Sequence, residues 1–158
     1  MSGWSVDGRA RLDPGERSDI EHLREVCEAS EPLDLKLELD EADSSGQPIH
    51  FLARGDGDLI GYAAITAGVD AEVCGMVHPG WRRRGVGIAL LGQVRDAAVR
   101  LRRKSVLVIC EDSGPVALEW LRRLGARAAG VEMRMTLRLQ PEPSPHAASA
   151  LRPGPPFE

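Results

Sequence analysis

The stretch VHPGWRRRGVGIALL (Val77 to Leu91) decides how the chain folds. It closes an apolar strand, breaks at Pro79, passes through a basic turn holding Gly85 and Gly87, and enters a helix. Leu90, Leu91, Val94, Ala98 and Leu101 then fall on one stripe, opposite Gln93, Asp96, Arg100 and Arg103. That spacing predicts a helix of about 15 residues between Val86 and Arg103. SVLVIC (Ser105 to Cys110) follows as a continuous apolar run, the pattern of a strand buried on both faces. Together these segments make a βαβ unit from Val73 to Cys110.

The turn RRRGVG (Arg82 to Gly87) therefore sits at a helix N-terminus. The first N–H groups there lack intrahelical partners and the helix dipole is positive, so a phosphate suits the position. The plain alternative is an ordinary tight turn with a solvated basic cluster. Two nucleotide motifs fail on local detail. A Walker loop needs Gly-Lys, which occurs nowhere, and a Rossmann fingerprint needs a third glycine where Leu90 stands, although Glu111 does end the next strand.

Upstream, Arg9 to Leu12 reads as a short edge strand. A helix is expected from Glu16, with Ile20, Leu23, Val26 and Cys27 at helical spacing. LDLKLELD (Leu33 to Asp40) alternates strictly, yet Leu, Lys and Glu are good helix formers, so strand and helix both stay open. IHFLAR and LIGYAAITAG around GDGD (Gly55 to Asp58) predict a β-hairpin, and Val69 to His78 a third strand. Downstream, Pro115 opens a short helix that Gly125 ends, with Ala117, Leu118, Leu121 and Leu124 as its buried stripe. Val131 to Leu139 alternates as a last strand. Six of the final 18 residues are proline, so Gln140 to Glu158 reads as a disordered tail or linker.

A chain of 158 residues, 42% hydrophobic and 28% charged, has room for one domain. With two Phe, one Tyr and three Trp, its core is expected to be aliphatic. No apolar run is long enough to span a membrane, and the N-terminus lacks a signal-peptide stretch, so the expected compartment is the cytoplasm. Cys27, Cys74 and Cys110 show no CxxC or Cys/His pattern; they read as small core residues, with no metal site. A net charge of −4, with no aromatic residues interleaved among Arg82 to Arg84, argues against nucleic acid.

Val77 to Leu91 resembles the signature of the GNAT superfamily of N-acetyltransferases, (Arg/Gln)-x-x-Gly-x-(Gly/Ala) after a hydrophobic-Val-x-Pro strand end. Arg82, Gly85 and Gly87 fill its named positions. ALEWLRRLGA (Ala117 to Ala126) is similar to the family's A-x-x-(Leu/Phe)-Tyr-x-x-x-Gly-Phe segment. The resemblance implies an α/β GNAT fold over residues 1–139, a mixed central sheet of about six to seven strands flanked by about four helices. It implies acetyl-CoA as co-substrate and an amine, which the sequence does not identify, as acceptor; a homodimer is compatible with it. Main-chain groups of Met76 and Val77 would hold the pantetheine arm and polarise the carbonyl. Arg82, with the N–H groups of Arg83, Arg84, Gly85, Val86, Gly87 and Ile88, would hold the diphosphate.

Where the family carries its usual Tyr acid, this chain has Leu121, and its frequent Asn at the start of that helix is Gly114. Glu72 is the candidate base, by period two on the face of Cys74 and Met76; its plain alternative is a solvated strand-end carboxylate. His78 reads as a turn residue and Trp120 as core. Trp81 either covers the ligand or stacks on an arginine. Glu31, Asp34, Glu38, Asp40, Glu41 and Asp43 would suit a cationic acceptor or form a solvated face. Two functions remain: an acyl-CoA-dependent N-acetyltransferase, or a non-catalytic acetyl-CoA-binding module. The Pro-rich tail is also similar to the connector of tandem-GNAT proteins such as mycothiol synthase.

Overall fold

Asp56 (φ 55°) and Gly57 (φ 94°) take the two left-handed conformations that a tight hairpin turn requires. In the computed structural model, which describes residues 3–66, 71–111, 113–131 and 133, they close β2 (His50–Gly55) onto β3 (Asp58–Ile65). Around this hairpin the described strands lie in the order β1-β2-β3-β4-β5, with β1 as Trp4–Arg9, β4 as Glu72–Val77 and β5 as Leu107–Val108. The first four pair antiparallel and β5 pairs parallel to β4, as its crossover helix demands. Three helices accompany them: α1 (Pro14–Ser30), α2 (Val86–Arg100) and α3 (Pro115–Arg123). The described part thus has fewer strands and helices than expected, and the class holds.

The chain divides at Arg127, and all of these strands and helices belong to the unit before that point. The sheet separates two cores. On one face α2 packs Val86, Leu90, Val94, Ala97 and Ala98 against Phe51, Ala53, Ile60, Ile65 and Val73. On the other, α1 packs Ile20, Leu23 and Cys27 against Leu52, Tyr62, Ala64 and Met76. Each fully buried Leu, Ile or Phe contributes on the order of 1.5–3 kcal/mol. α1 starts two residues before Glu16 because Asp13 and Glu16 form a reciprocal capping box, with Pro14 at the first position.

Several expectations shift. The first strand is Trp4–Arg9 rather than Arg9 to Leu12: Arg9 ends it opposite His50, and Leu12 is buried beneath α1. Leu33 to Asp40 is neither strand nor helix. It is an extended segment whose leucines are half-buried while Asp34, Lys36, Glu38 and Asp40 are exposed, so the alternation is real without a ladder. The strand at Ser105 to Cys110 is only two residues long and not buried on both faces, since Leu107 is 41% exposed. α3 buries none of its residues: Leu118 and Leu121 are half-buried, Ala117 and Leu124 exposed, because the helix borders an open cavity. The expected strand at Val131 to Leu139 and the tail from Gln140 lie outside the described residues, apart from Val131 and Met133, which have no regular structure.

α2 stops three residues early, and its end is chemically informative. Arg102 adopts φ 55°, with Arg102 N–H bonded to Val99 O (3.0 Å) and Arg103 N–H to Ala98 O (2.8 Å). This is a Schellman ending with arginine where glycine is usual. A side chain in that conformation costs roughly 1–2 kcal/mol, partly offset by glycine's greater freedom when unfolded. Arg102→Gly should therefore stabilise the fold by up to about 1 kcal/mol in urea unfolding.

His50 is fully buried, with Nε2 2.9 Å from Glu41 O and Nδ1 2.8 Å from the Tyr62 hydroxyl. Only a protonated Nε2 can donate to that carbonyl, so Nδ1 accepts from Tyr62 in the neutral ring. Burial holds the His50 pKa below its ordinary 6.5. The unfolded state therefore takes up the proton first, and stability is full above about pH 6.5 and falls as the pH drops below it. Urea midpoints of His50→Gln, compared with the parent between pH 7 and 5, should show a shallower decline.

Candidate functional site

β4 is a strand with one committed edge and one half-committed edge. Hydrogen bonds from His78 N–H to Ile60 O and from Thr66 N–H to Glu72 O, both 2.9 Å, fix which residues face β3. By alternation Glu72, Cys74 and Met76 turn their main chain to β3, and Val73, Gly75 and Val77 turn theirs the other way. On that side Leu107 N–H reaches Ala71 O and Ile109 N–H reaches Val73 O, both at 2.9 Å, and there the ladder ends among the described residues. Beyond it β4 and β5 part around a cavity of about 430 Å³. Gly75 and Val77 form one wall, Val108 to Glu111 the other, and Trp120 and Leu121 of α3 close one side. Cys27, Glu31, Leu33 and Leu35 also line the cavity.

At the mouth, Arg83 (φ 64°) and Gly85 (φ 86°) turn the chain left-handed on either side of Arg84. The first backbone bond of α2 runs from Ala89 N–H to Gly85 O, which leaves the N–H groups of Val86, Gly87 and Ile88 without intrahelical partners. Alternating backbone handedness before a helix start makes a concave cluster of N–H groups that attracts anions. Gly87 borders this concavity. A Cβ there would meet Trp120 at 3.6 Å and Val77 at 3.8 Å, ordinary contacts, so the protein itself tolerates a side chain at the spot it leaves open.

The three arginines have separate fates. Arg82 Nε donates to Val77 O (3.1 Å) and its guanidinium pairs with Glu31, so this side chain is occupied within the protein. Arg84 lies over the Trp81 ring at 5.0 Å. Arg83 lines the cavity. Trp81 accordingly stacks on arginine and packs against the α2 core instead of covering the cavity, and His78 accepts from Gly80 N–H as a turn residue.

Other expectations need correction. Met76 lends its main chain to Tyr62 in β3 and its side chain to the α1 core, so Gly75 and Val77 are the pair whose peptides face the cleft. Glu72 shares a face with Cys74 and Met76, but it lies at the far end of β4, does not line the cavity, and pairs with Lys36 at 3.4 Å. Trp120 is a cavity wall and not core. The three cysteines all line the cavity, and only Cys27 is fully buried. Burial raises all three thiols, against the Arg82 charge at Cys27 and up to about 11 at Cys74, so they stay protonated. Cys27 Sγ donates to Val77 O (3.6 Å), a second donor on that carbonyl. Glu31 and Glu111 line the site, and among the described residues Glu111 has no ion pair. Strand parity could have identified Gly75 from sequence, and Glu31 belongs to the acidic run expected on the acceptor side; nothing local announces Cys27.

Residues 17–126 match the acetyltransferase (GNAT) family. The mycothiol acetyltransferase of Geodermatophilus obscurus is 32% identical over 144 residues, 84% of this chain and 46% of the relative. The chain thus spans about half the length of that relative. A ribosomal-protein-alanine N-acetyltransferase from Brucella melitensis biovar Abortus 2308 superimposes with TM-score 0.60 at 14% identity, covering 85% of this chain and 99% of that one. The aminoglycoside N-acetyltransferase AAC(6′)-Iy, in complex with CoA, gives 0.59 at 15% identity over 87% and 100% of the two chains. A GCN5-related N-acetyltransferase from Sphaerobacter thermophilus gives 0.59 at 21%, over 78% and 43%. The chain belongs to the GNAT acetyltransferase family.

A ligand bound only to the native state raises the melting temperature by mass action. Acetyl-CoA should raise it for the parent protein. Gly87→Val should fold yet lose that shift, because its methyl groups occupy the approach to the N–H cluster; an undiminished shift would refute the site.

Proposed function

We propose that this protein is an N-acetyltransferase that passes the acetyl group of acetyl-CoA to an amine by direct attack. The observation that carries this reading is the parted edge of β4. Gly75 and Val77 offer main-chain groups along a cleft whose mouth ends in the N–H cluster of Arg83 to Ile88. An extended arm with an amide-rich middle and a diphosphate end matches that sequence of donors. The complex of AAC(6′)-Iy with CoA supports the assignment through shared fold.

The pantetheine arm runs along the edge of β4 from Val77, which offers its N–H because its carbonyl already accepts from Arg82 and Cys27, towards Gly75. The diphosphate lies against the N–H groups at the start of α2, and Arg83 adds charge beside it. The Gly75 N–H, farther along β4 from the diphosphate turn than Val77, is the donor for the oxygen that becomes negative as the amine attacks the thioester carbon. The amine nitrogen forms its bond to the acetyl carbon, the C–S bond breaks, and the ammonium proton passes to Glu111, a wall carboxylate with no ion pair among the described residues. The departing thiolate is a weak base, with a solution pKa near about 8.5, so water can protonate it. Leu121 supplies no proton. The acceptor enters between α1 and Leu33 to Leu35.

A second reading has its own observation. Leu121 occupies the wall where a proton donor would stand, and the chain spans 46% of its mycothiol-related relative. On this reading the unit binds acetyl-CoA without turnover. The test is release of free thiol from acetyl-CoA across a panel of primary amines. Release that depends on the amine supports the enzyme; binding without release supports the silent module.

A general acid is typically worth about 10²–10⁴-fold. In the enzyme, Leu121→Tyr should raise kcat at least tenfold, most strongly at low pH, with acetyl-CoA affinity within twofold. In a silent module the same substitution should produce no turnover.

A further inference from the structure

We propose that the acceptor is a primary amine with an apolar body and a single ammonium, and that the cleft discriminates against a second cationic group on it. This rests on the acetyl-transfer reading and names its substrate class. The acids between Asp34 and Asp43 do not line the cavity; that stretch of chain presents only Leu33 and Leu35 to it. The cause is the extended backbone from Leu33 to Asp40, where alternation turns the leucines inward and leaves Asp34, Glu38 and Asp40 exposed. Outside the cavity the acids have partners of their own. Glu38 lies 4.0 Å from Lys36, Asp40 pairs with Arg17, and Asp43 accepts from the N–H groups of Ser45 and Gln47.

The carboxylates that do reach the cavity are committed, with one exception. Glu31 pairs with Arg82, and Glu119 with Arg123. Among the described residues this leaves Glu111 as the wall carboxylate without an ion pair, and the reacting nitrogen takes it. The leucine wall begins beside the turn that carries it. A Cβ on Gly114 would lie 3.1 Å from Leu33 Cδ2, and the Gly114 N–H bonds to Glu111 O at 3.0 Å. An amine held at Glu111 can thus lay its body along Leu33 and Leu35, with the protonated thiols of Cys27 and Cys74 also in the lining. A methyl group at the far end of that body gains by leaving water. A second ammonium there gives up its hydration and meets no uncommitted carboxylate among the described residues.

The test compares 1-aminohexane with 1,5-diaminopentane, which has the same length and carries an ammonium in place of the terminal methyl, and with spermidine. Thiol release from acetyl-CoA is the readout. The parent protein should show a kcat/KM for aminohexane at least about tenfold above that for the diamine, although the diamine offers two reactive ends. Leu35→Asp, which places a carboxylate on the wall, should move that ratio towards the diamine by about tenfold. Glu38→Gln, which alters only the exposed acidic face, should leave it within about twofold. Urea unfolding verifies each variant, and the parent ratio together with Glu38→Gln decides the matter should Leu35→Asp not fold. A ratio of one or below, reaction with spermidine but not with aminohexane, or loss of diamine turnover in Glu38→Gln overturns the apolar acceptor and leaves the transferase standing. Binding of acetyl-CoA with release to none of the three amines defeats the transferase reading, and this proposal with it.

Discussion

The first turn of α2 rests on β3 at a point where β3 has no side chain. A Cβ on Gly61 would come within 2.9 Å of Val86 and 3.0 Å of Leu90, closer than packed atoms allow. Gly61 is also the register partner of Val77. The glycine that lets the helix descend therefore lies beside the strand end that opens the cleft, and the N–H cluster of α2 is set against the free edge of β4. Every other feature of the site depends on this approach. A helix held an ångström or two higher would separate the anion-binding turn from the strand that receives the rest of an extended ligand.

Much of this is legible in the sequence, and for physical reasons. A glycine-bearing turn between an apolar strand and an amphipathic helix has few alternatives, and Asp56-Gly57 leaves a hairpin little choice. Leu90, Val94 and Ala98 are buried on the predicted stripe. What sequence misjudges lies around the cavity. Apolar periodicity marks residues that face away from bulk solvent, but it cannot tell a core from a cleft wall. Hence Leu121 and Trp120 on α3, and Cys74 and Cys110, read as interior although they border open space. Period-two reasoning puts Glu72 on the correct face and the wrong end of β4, because a face carries no information about distance along the strand. Met76 comes from the family resemblance, which marks the strand end; main-chain alternation, fixed by the ladder to β3, turns Gly75 and Val77 to the cleft instead.

The three consecutive arginines show how little a charge run says before its neighbours are known. One is spent on a carbonyl and a carboxylate, one on an indole face, and one borders the cavity. A uniform basic patch would attract any polyanion. Division of the run leaves neutral backbone donors as the main anion-binding groups, and these demand a ligand that approaches closely along one line.

The segment from Leu33 to Asp40 forms part of the cavity wall yet belongs to no ladder. Its ties include the bond from Leu35 N–H to Glu28 and the ion pairs of Lys36 with Glu72 and of Asp40 with Arg17, and the Ser113 hydroxyl holds Pro32 O just before it, with half-buried leucines beneath. Detaching it would unpair no strand and unwind no helix. Its opening therefore belongs to the low end of the spectrum of local unfolding, with amide exchange far faster than that of β3 beside it. The cleft has one wall that can breathe while the wall bearing Gly75 and Val77 stays still.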